Sequence, residues 1–219
     1  TDDFLQQIYS INTYAKMSDK ISFRNVAYSV IGSGYYEVLK TGQDFYSYNL
    51  DIDNVMDEEM EKGKSTDLLR RKWIQNNYYG IVPMFTILDK NYRIDFGGEV
   101  RFYTGDHFGE ATQFSDPSLR ARFNDNWYRY YQYIGNKNIL TAFTRLIWAP
   151  SNQPFAVSFD LQNQNINWDL DQKKIGNAFG HQLSADWSFL NPRIGFVWKL
   201  SDSLSWFVNT GKAQKEPAD

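Results

Sequence analysis

The sequence contains no cysteine, and this absence removes several classes of structure and chemistry. Without thiols there is no disulfide framework, no cysteine-based zinc site and no thiol nucleophile. Glycine and proline are also modest in number, at 14 and 6 of 219 residues, which is not the composition of a disordered, low-complexity chain. The sequence therefore predicts an ordered chain, long enough for one large domain, without covalent cross-links.

Long hydrophobic runs and an excess of positive charge are absent as well. No stretch approaches the roughly 20 apolar residues that a transmembrane helix requires. Helical membrane proteins are thereby excluded, whereas β-barrels are not, because barrel strands alternate apolar and polar residues. The formal net charge is -3, so the chain lacks the basic surface that binding to nucleic acid needs.

Aromatic residues are abundant instead, with 15 Tyr, 16 Phe and 7 Trp in the chain. Many of them stand in runs where apolar and polar residues alternate, the pattern of a β-strand with one apolar and one polar face. The clearest runs are Tyr92 to Tyr103 and Leu190 to Leu200. Further strands are expected at about residues 5–13, 21–31, 77–88, 139–148, 155–164 and 204–210. The alternation thus predicts an all-β chain of about eight strands.

Two of these predicted strands carry an irregularity. In residues 21–31 the apolar positions change parity, from Ile21 and Phe23 to Val26 and Tyr28, which we interpret as a β-bulge. Pro83 lies inside the third strand, where it cannot donate a ladder hydrogen bond, and it indicates an edge or a bulge.

The connections between the predicted strands alternate strictly between short and long. Short ones are expected at residues 17–20, 89–91, 149–153 and 201–203, and long ones at 33–72, 105–137 and 169–182. Short periplasmic turns and long extracellular loops are typical of outer-membrane barrels. The predicted fold is therefore an antiparallel transmembrane β-barrel segment, with its apolar face toward lipid. Its polar face, which carries Arg93, Asp95, Glu99 and Arg101, is expected to line a wet lumen.

Two other architectures fit the same alternation. One is a self-contained eight-stranded outer-membrane barrel, an adhesin or a lipid-modifying enzyme, since eight strands can close a barrel. In an enzyme of that kind, His107 with Ser115 or His181 with Ser184 would be the catalytic candidates. The other is a soluble β-sheet domain that binds carbohydrate. Pairing of the first strand with the last would distinguish a closed barrel from part of a larger one.

Four segments of the chain form an ordered set. They are GSGYYEVLK at 32–40, DLLRRKWIQNNYYG at 67–80, GGEVRFY with DHFGE within 97–110, and the strand pair of 189–219 that ends in KEPAD. In this order and spacing they resemble the barrel of the TonB-dependent outer-membrane receptors, especially those of Bacteroidetes-type bacteria. Lys215 and Ala218 stand where the Arg-Glu-Pro-Thr-like signature of that family has Arg and Thr, and Leu39 replaces its usual aromatic residue.

The resemblance implies a function and a location. Residues 1–219 would form a middle piece of the barrel domain, nearer its second half, without the plug domain or the remaining strands. The expected function is TonB-dependent uptake of a scarce nutrient across the bacterial outer membrane, most of all an iron–siderophore or similar metal chelate. The implied partners are outer-membrane lipid, the plug domain, the inner-membrane TonB complex and the nutrient itself. Neither enzymatic activity nor a cofactor is expected.

The predicted long loops are rich in aromatic and basic residues, which suit a nutrient with rings or negative charge. The candidates for ligand contact are Tyr35, Tyr36, His107, Arg120, Arg122, Trp127 and Tyr128. Alternatively, tyrosines and tryptophans near strand ends belong to the membrane-interface girdle or pack the loops together. The sequence predicts no catalytic site and no metal site.

Overall fold

The computed structural model describes residues 2–50, 64–175 and 181–217, and most of these residues lie in β-strands. The strands are β1 (Asp2–Lys16), β2 (Ile21–Asp44), β3 (Ser65–Leu88), β4 (Tyr92–Thr112), β5 (Tyr128–Trp148), β6 (Phe155–Ile175), β7 (Gln182–Lys199) and β8 (Ser205–Gly211). They form one antiparallel sheet in sequence order. The prediction of an all-β, eight-stranded antiparallel wall is confirmed.

The two ends of this sheet are free edges in the part of the chain that is described. β1 pairs with β2, from Asp2↔Tyr36 to Lys16↔Ser22, and β8 pairs with β7, but β1 and β8 do not pair with each other. The eight strands therefore form an open wall, which does not support the self-contained barrel. In lipid, unpaired backbone groups at an edge are costly, so such a wall needs further strands.

Apolar side chains gather on one face of the wall, here called the outer face. Phe23, Phe85 and Phe96 are direct partners across β2, β3 and β4, with ring centroids 4.8 and 5.3 Å apart. On β4 the apolar positions run from Tyr92 to Phe102, about ten residue steps. At about 3.3 Å per residue and a strand tilt of about 40°, this band is about 25 Å tall, the height of the lipid-facing band of outer-membrane barrels.

The opposite, inner face carries a row of alternating charge. Asp95, Arg145, Asp160 and Arg193 are successive cross-strand partners from β4 to β7. Arg145 Nε lies 2.9 Å from an Asp160 carboxylate oxygen. Asp95 also accepts hydrogen bonds from Arg93 at 2.8 Å and from the Thr86 hydroxyl at 2.6 Å. The predicted polar face thus exists, and its charges are paired rather than isolated.

The strands extend well beyond their predicted ends. About half of the residues in the expected loops 33–72, 105–137 and 169–182 belong to strands, and the connections that remain are residues 45–64, 113–127 and 176–181. Residues 51–63 and 176–180 lie outside the described ranges. At the other end, all four connections are short, as predicted. The lengths of the long connections were overestimated because the alternation changes parity beyond the outer apolar band, on the side of these connections. There the apolar side chains lie on the inner face instead of the outer face.

The predicted irregularities also differ from those observed. β2 keeps an unbroken register with both neighbours through residues 21–31, and its register shift lies between Lys40 and Gln43. The change of parity therefore reflects apolar residues on both faces rather than a bulge. Pro83 lies in a central strand, and the register between β3 and β4 is the same on both sides of it. The prediction of an edge or a bulge at Pro83 is wrong. β3 has a partner strand on each side, and the ladder between β3 and β4 lacks pairs next to Pro83 without any change of register.

The described parts of the connections 45–64 and 113–127 pack against the inner face at the end of the wall remote from the short turns. They contain a 3-10 turn (Tyr46–Tyr48) and the helix α1 (Pro117–Phe123), whose first N–H groups donate to the Asp116 side chain. The buried core at this end consists of Phe45, Tyr48, Leu50, Leu68, Ala111, Phe114, Leu119 and Tyr130. Within the described ranges, no helix has the length and apolar character needed to cross a membrane.

Candidate functional site

A cavity of about 520 Å³ opens on the inner face above two facing glycines. Gly105 of β4 and Gly135 of β5 are direct cross-strand partners, and Leu170 of β6 continues the same row. A Cβ built on Gly135 would meet no atom within 4 Å, so the space above this residue is open. Gly135 and Leu170 therefore form the floor of the cavity, and Gly105 lies beside it in the same row.

Two further cross-strand rows form the walls of the cavity. On the side of the short turns the row is Tyr103, Lys137 and Trp168, and on the other side it is His107, Tyr133 and Gln172. The His107 ring stacks on Tyr133 with centroids 4.8 Å apart and planes 6° from parallel. The cavity thus presents flat ring faces, polar ring edges and one lysine.

A tryptophan from β7 completes the cavity. The rings of Trp168 and Trp187 lie 6.4 Å apart, and both side chains line the cavity. Gly105 allows the opposite wall to close in, since a Cβ there would collide with the Tyr103 hydroxyl and lie 3.1 Å from His107 Nε2. The two glycines therefore differ, because one is covered by its neighbours and the other is open.

The lysine of the cavity wall forms an ion pair with the segment that follows β8. Lys137 Nζ lies 3.3 Å from a carboxylate oxygen of Glu216, and both side chains are largely buried. Pro217 lines the cavity next to this pair. Although burial acts to raise the pKa of the Glu216 carboxyl, hydrogen bonds from its own backbone N–H and from Lys137 hold it below its ordinary value. Glu216 is therefore the charged partner that Lys137 has in this structure.

A path of tyrosine rings connects the cavity to the core of the long connections. Successive ring centroids are 4.5 Å apart for Tyr48 and Tyr130, 5.0 Å for Tyr130 and Tyr131, and 6.0 Å for Tyr131 and Tyr133. Burial, with a contribution from Tyr133, raises the pKa of Tyr131 to about 12, and burial also raises the pKa of Tyr130. These phenols stay protonated at neutral pH, so they present O–H donors rather than phenolate ligands for a metal ion.

Of the seven residues proposed from the sequence, His107 lines the cavity and Tyr36 lies beside the tyrosine path. The Tyr36 hydroxyl accepts a hydrogen bond of 3.0 Å from Arg70, which also donates to the Tyr48 hydroxyl at 3.3 Å. His107 and Tyr36 belong to β4 and β2 rather than to loops, as does Tyr128 to β5. Long strands, not loops, position these side chains.

Three other candidates make contacts that hold the long connections together. The Arg120 guanidinium donates to the Phe114 carbonyl at 3.1 and 3.2 Å, and Arg122 donates to the Leu50 carbonyl at 3.4 Å. The Tyr128 hydroxyl donates to the Asn49 carbonyl at 2.8 Å. These contacts correspond to the alternative interpretation, in which such side chains pack the loops.

The remaining two candidates lie on the outer face. The Arg71 guanidinium is placed between the Tyr35 ring at 4.4 Å and the Trp127 ring at 4.2 Å, and it pairs with Glu37 at 2.7 Å. Tyr35 and Trp127 are thus directed away from the cavity. Their cation–π contacts join the start of β5 to β2 and β3.

The sequence contains a signal for the cavity residues, which lie on strands and not in the predicted loops. In β6 the apolar side chains occupy odd positions from Phe155 to Leu161, then even positions from Ile166 to Leu170. In β7 the corresponding change separates Leu183 to Phe189 from Leu190 to Trp198. Where the register is unbroken, such a change shows that the apolar side chains have moved from the outer to the inner face.

Of the two catalytic pairs considered for an enzyme, His107 with Ser115 is not assembled at this site. The Ser115 hydroxyl accepts a hydrogen bond of 2.8 Å from the Asp67 backbone and contacts the Thr66 hydroxyl at 3.1 Å, whereas His107 stacks on Tyr133. Among the described residues, no three His, Asp or Glu side chains are arranged to hold a metal ion. The chemistry that the cavity offers is binding by rings, hydroxyls and one cation.

No protein-family model and no curated protein sequence matches the chain. Its fold is similar to Fiu, a ferric-catecholate import receptor of E. coli K12, with a TM-score of 0.69 and 13% identity over 99% of this chain and 36% of that one. For the ferric citrate transporter FecA the TM-score is 0.62 and the sequence identity is 10%, over 96% of this chain and 28% of FecA. For the siderophore receptor PiuA of Acinetobacter baumannii the TM-score is 0.60 and the sequence identity is 11%, over 95% of this chain and 32% of PiuA.

These similarities establish the fold. The chain has the architecture of part of the β-barrel of TonB-dependent receptors, and it spans about a third of the length of the receptors that it matches. The source organisms named for these receptors do not include Bacteroidetes, so that part of the sequence resemblance stays a prediction.

Proposed function

We propose that this chain is part of the barrel wall of a TonB-dependent outer-membrane receptor that takes up an iron–siderophore chelate. The observation that carries the proposal is the aromatic cavity on the inner face of a wall with the fold of such receptors. The apolar outer band of about 25 Å supports a position in the outer membrane. In this function the chain binds and guides a ligand and does not catalyse a reaction.

The cavity suits a chelate that carries rings and negative charge. Trp168 and Trp187 offer ring faces, each worth about 0.5–1.5 kcal/mol against a ligand ring beyond the apolar area buried. Lys137 offers the cation, and the protonated tyrosines along the path offer O–H donors. Because these side chains stand on paired strands, they are held in place before the ligand arrives.

The proposed partners follow from the two faces of the wall. The outer band contacts lipid, and the charge row from Asp95 to Arg193 faces the lumen in which a plug domain would lie. Residues 1–219 are proposed to belong wholly to the barrel domain. The plug and the inner-membrane TonB complex, which would supply the energy for uptake, are partners outside this sequence.

The test is a binding titration of the full-length receptor in detergent with a ferric tris-catecholate complex, followed by tryptophan fluorescence. We expect the Trp168→Ala variant to lose about tenfold in affinity, about 1.4 kcal/mol. Trp148→Ala is the matched control, because Trp148 stands on the outer face and should leave affinity unchanged. Equal losses in both variants, or no binding of the ferric complex by a folded receptor, would contradict the proposal.

A further inference from the structure

The segment of residues 212–217, here called the strap, crosses the inner face and ends at the cavity. At its start the Lys212 backbone N–H donates to the Pro192 carbonyl at 3.0 Å. Asn191 then makes two hydrogen bonds to the backbone of Gln214, accepting from its N–H at 2.7 Å and donating to its carbonyl at 3.2 Å. At the far end, the strap is held by the ion pair between Glu216 and Lys137.

We propose that this ion pair is an exchangeable anion site. An anionic oxygen of the ligand replaces the Glu216 carboxylate at Lys137, and the end of the strap then leaves the cavity. The inference rests on the proposed function only in taking the cavity as the ligand site. Beyond the proposed function, the inference names the part of the ligand that is recognised, which is an aromatic ring bearing an anionic oxygen substituent. It also names the movement of the strap that this recognition causes.

The position of Lys137 makes the exchange possible. Its side chain is 17% exposed, and a largely buried cation is stabilised by an anionic partner. Its cross-strand neighbours on the inner face are the ring residues Tyr103 and Trp168. A ligand ring placed against Trp168 therefore brings its substituent to the place that the Glu216 carboxylate occupies. A neutral substituent cannot take over this partnership.

The strap is suited to release because it is held mainly by these polar contacts and by the attraction between Glu216 and the nearby Arg101. Residues 212–215 and Pro217 are exposed, so leaving the inner face costs little apolar burial. Pro217 has no backbone N–H with which to anchor the end. The hydrogen bonds of Asn191 fix Gln214, so the strap would pivot there rather than detach completely.

Competition between Glu216 and the ligand predicts opposite effects for two conservative variants. Glu216→Gln keeps the shape of the side chain but removes the competing charge, so it should tighten binding of an anionic ring compound about tenfold. Lys137→Gln removes the cation and should weaken binding about tenfold. In the Lys137→Gln background, Glu216→Gln should have no effect, because the two residues act through one contact.

The experiment uses the full-length receptor in detergent with two probes of the same ring. The probe 2,3-dihydroxybenzoate carries a carboxylate, and 2,3-dihydroxybenzamide is its neutral counterpart. Affinities are measured by calorimetry for the parent, Glu216→Gln, Lys137→Gln, the double variant and Trp168→Ala. A spin label on Lys215→Cys, beyond the pivot at Gln214 and the only thiol when the rest of the receptor lacks cysteine as this chain does, reports the mobility of the released end of the strap.

Tighter binding of the carboxylate by Glu216→Gln, no change for the amide, and release of the label by the carboxylate alone would support the proposal. Binding that depends on Trp168 but is unchanged in Glu216→Gln, or a label that stays immobile at saturation, would overturn the exchange and leave the cavity as the ligand site. Binding of neither probe, nor of the ferric complex, would overturn both the exchange and the proposed function.

Discussion

Gly105 and Gly135 stand opposite each other in one row of the sheet, yet a side chain has different consequences at the two positions. Above Gly135 there is open space, whereas Gly105 is covered by the Tyr103 hydroxyl and by His107. A substitution at Gly135 therefore tests the volume of the cavity, and a substitution at Gly105 tests the packing of its walls.

We predict that Gly135→Leu blocks the cavity without harming the fold, because the new side chain enters empty space. Binding of the ferric tris-catecholate should fall at least tenfold, while the unfolding midpoint in denaturant changes little. Gly105→Ala should instead destabilise the protein by about 1–3 kcal/mol, because it forces the two neighbouring side chains apart. A Gly135→Leu variant that binds as tightly as the parent would show that the ligand lies elsewhere.

At the scale of the strands, the charge row from Asp95 to Arg193 is a consequence of register. Each charge has a neighbour of opposite sign directly across the sheet, and Arg145 lies between Asp95 and Asp160. Opposite charges in such positions each contribute roughly 0.2–1 kcal/mol. Because the Arg145 side chain is 50% exposed, water screens it, and the lower half of that range applies.

We predict that Arg145→Met destabilises the folded wall by about 0.5–1 kcal/mol, because two carboxylates then face each other across the missing cation. Asp160→Asn in the same background should cost less than it does in the parent, because Asp160 has already lost Arg145 and keeps only Arg193 as a cross-strand partner of opposite charge. The measurement is the free energy of unfolding of the full-length receptor in detergent. An equal cost of Asp160→Asn in the parent and in the Arg145→Met background would argue against the row as a coupled unit.

At the scale of the whole molecule, the open wall with its apolar outer face has a direct consequence for solubility. Phe96, Ile81 and Ile194 are between 41% and 49% exposed on that face, and both edges carry unpaired backbone groups. We predict that residues 1–219 produced alone are insoluble without detergent. Size exclusion in plain buffer tests this, and a monodisperse monomer would contradict it.

The open edges can be tested in the same way, because the chain has no cysteine of its own. We predict that cysteines at Ile11 on β1 and Val208 on β8 fail to form a disulfide in the full-length receptor, since the two strands are not partners. Cysteines at Phe196 and Val208, which are direct partners across β7 and β8, form the control pair. Cross-linking of the first pair as efficient as that of the control would indicate a closed eight-stranded barrel.

The sequence by itself determined which residues form strands near the membrane and which face each of them presents. Alternation with a period of two is a local property, because successive side chains on a strand point to opposite sides whatever the strand pairs with. The strands at Leu190–Leu200 and Tyr92–Tyr103 could therefore be assigned from their own residues. The order of short and long connections followed from the strands. The same local pattern led to the wrong bulge in β2, because apolar residues on both faces resemble a shift of register.

Only the tertiary structure decided where the cavity proposed as the ligand site is assembled. The cavity needs Gly105, Gly135 and Leu170 in one row, and its ion pair joins Lys137 to Glu216, which is 79 residues away in the sequence. Such a set depends on the register of several strands and on the path of the chain after β8. Register and chain path are set by the summed packing of the whole wall, so no local pattern contains them. His107 could be suspected for its residue type, whereas Trp168, Trp187 and Lys137 became site residues only when the strands were placed side by side.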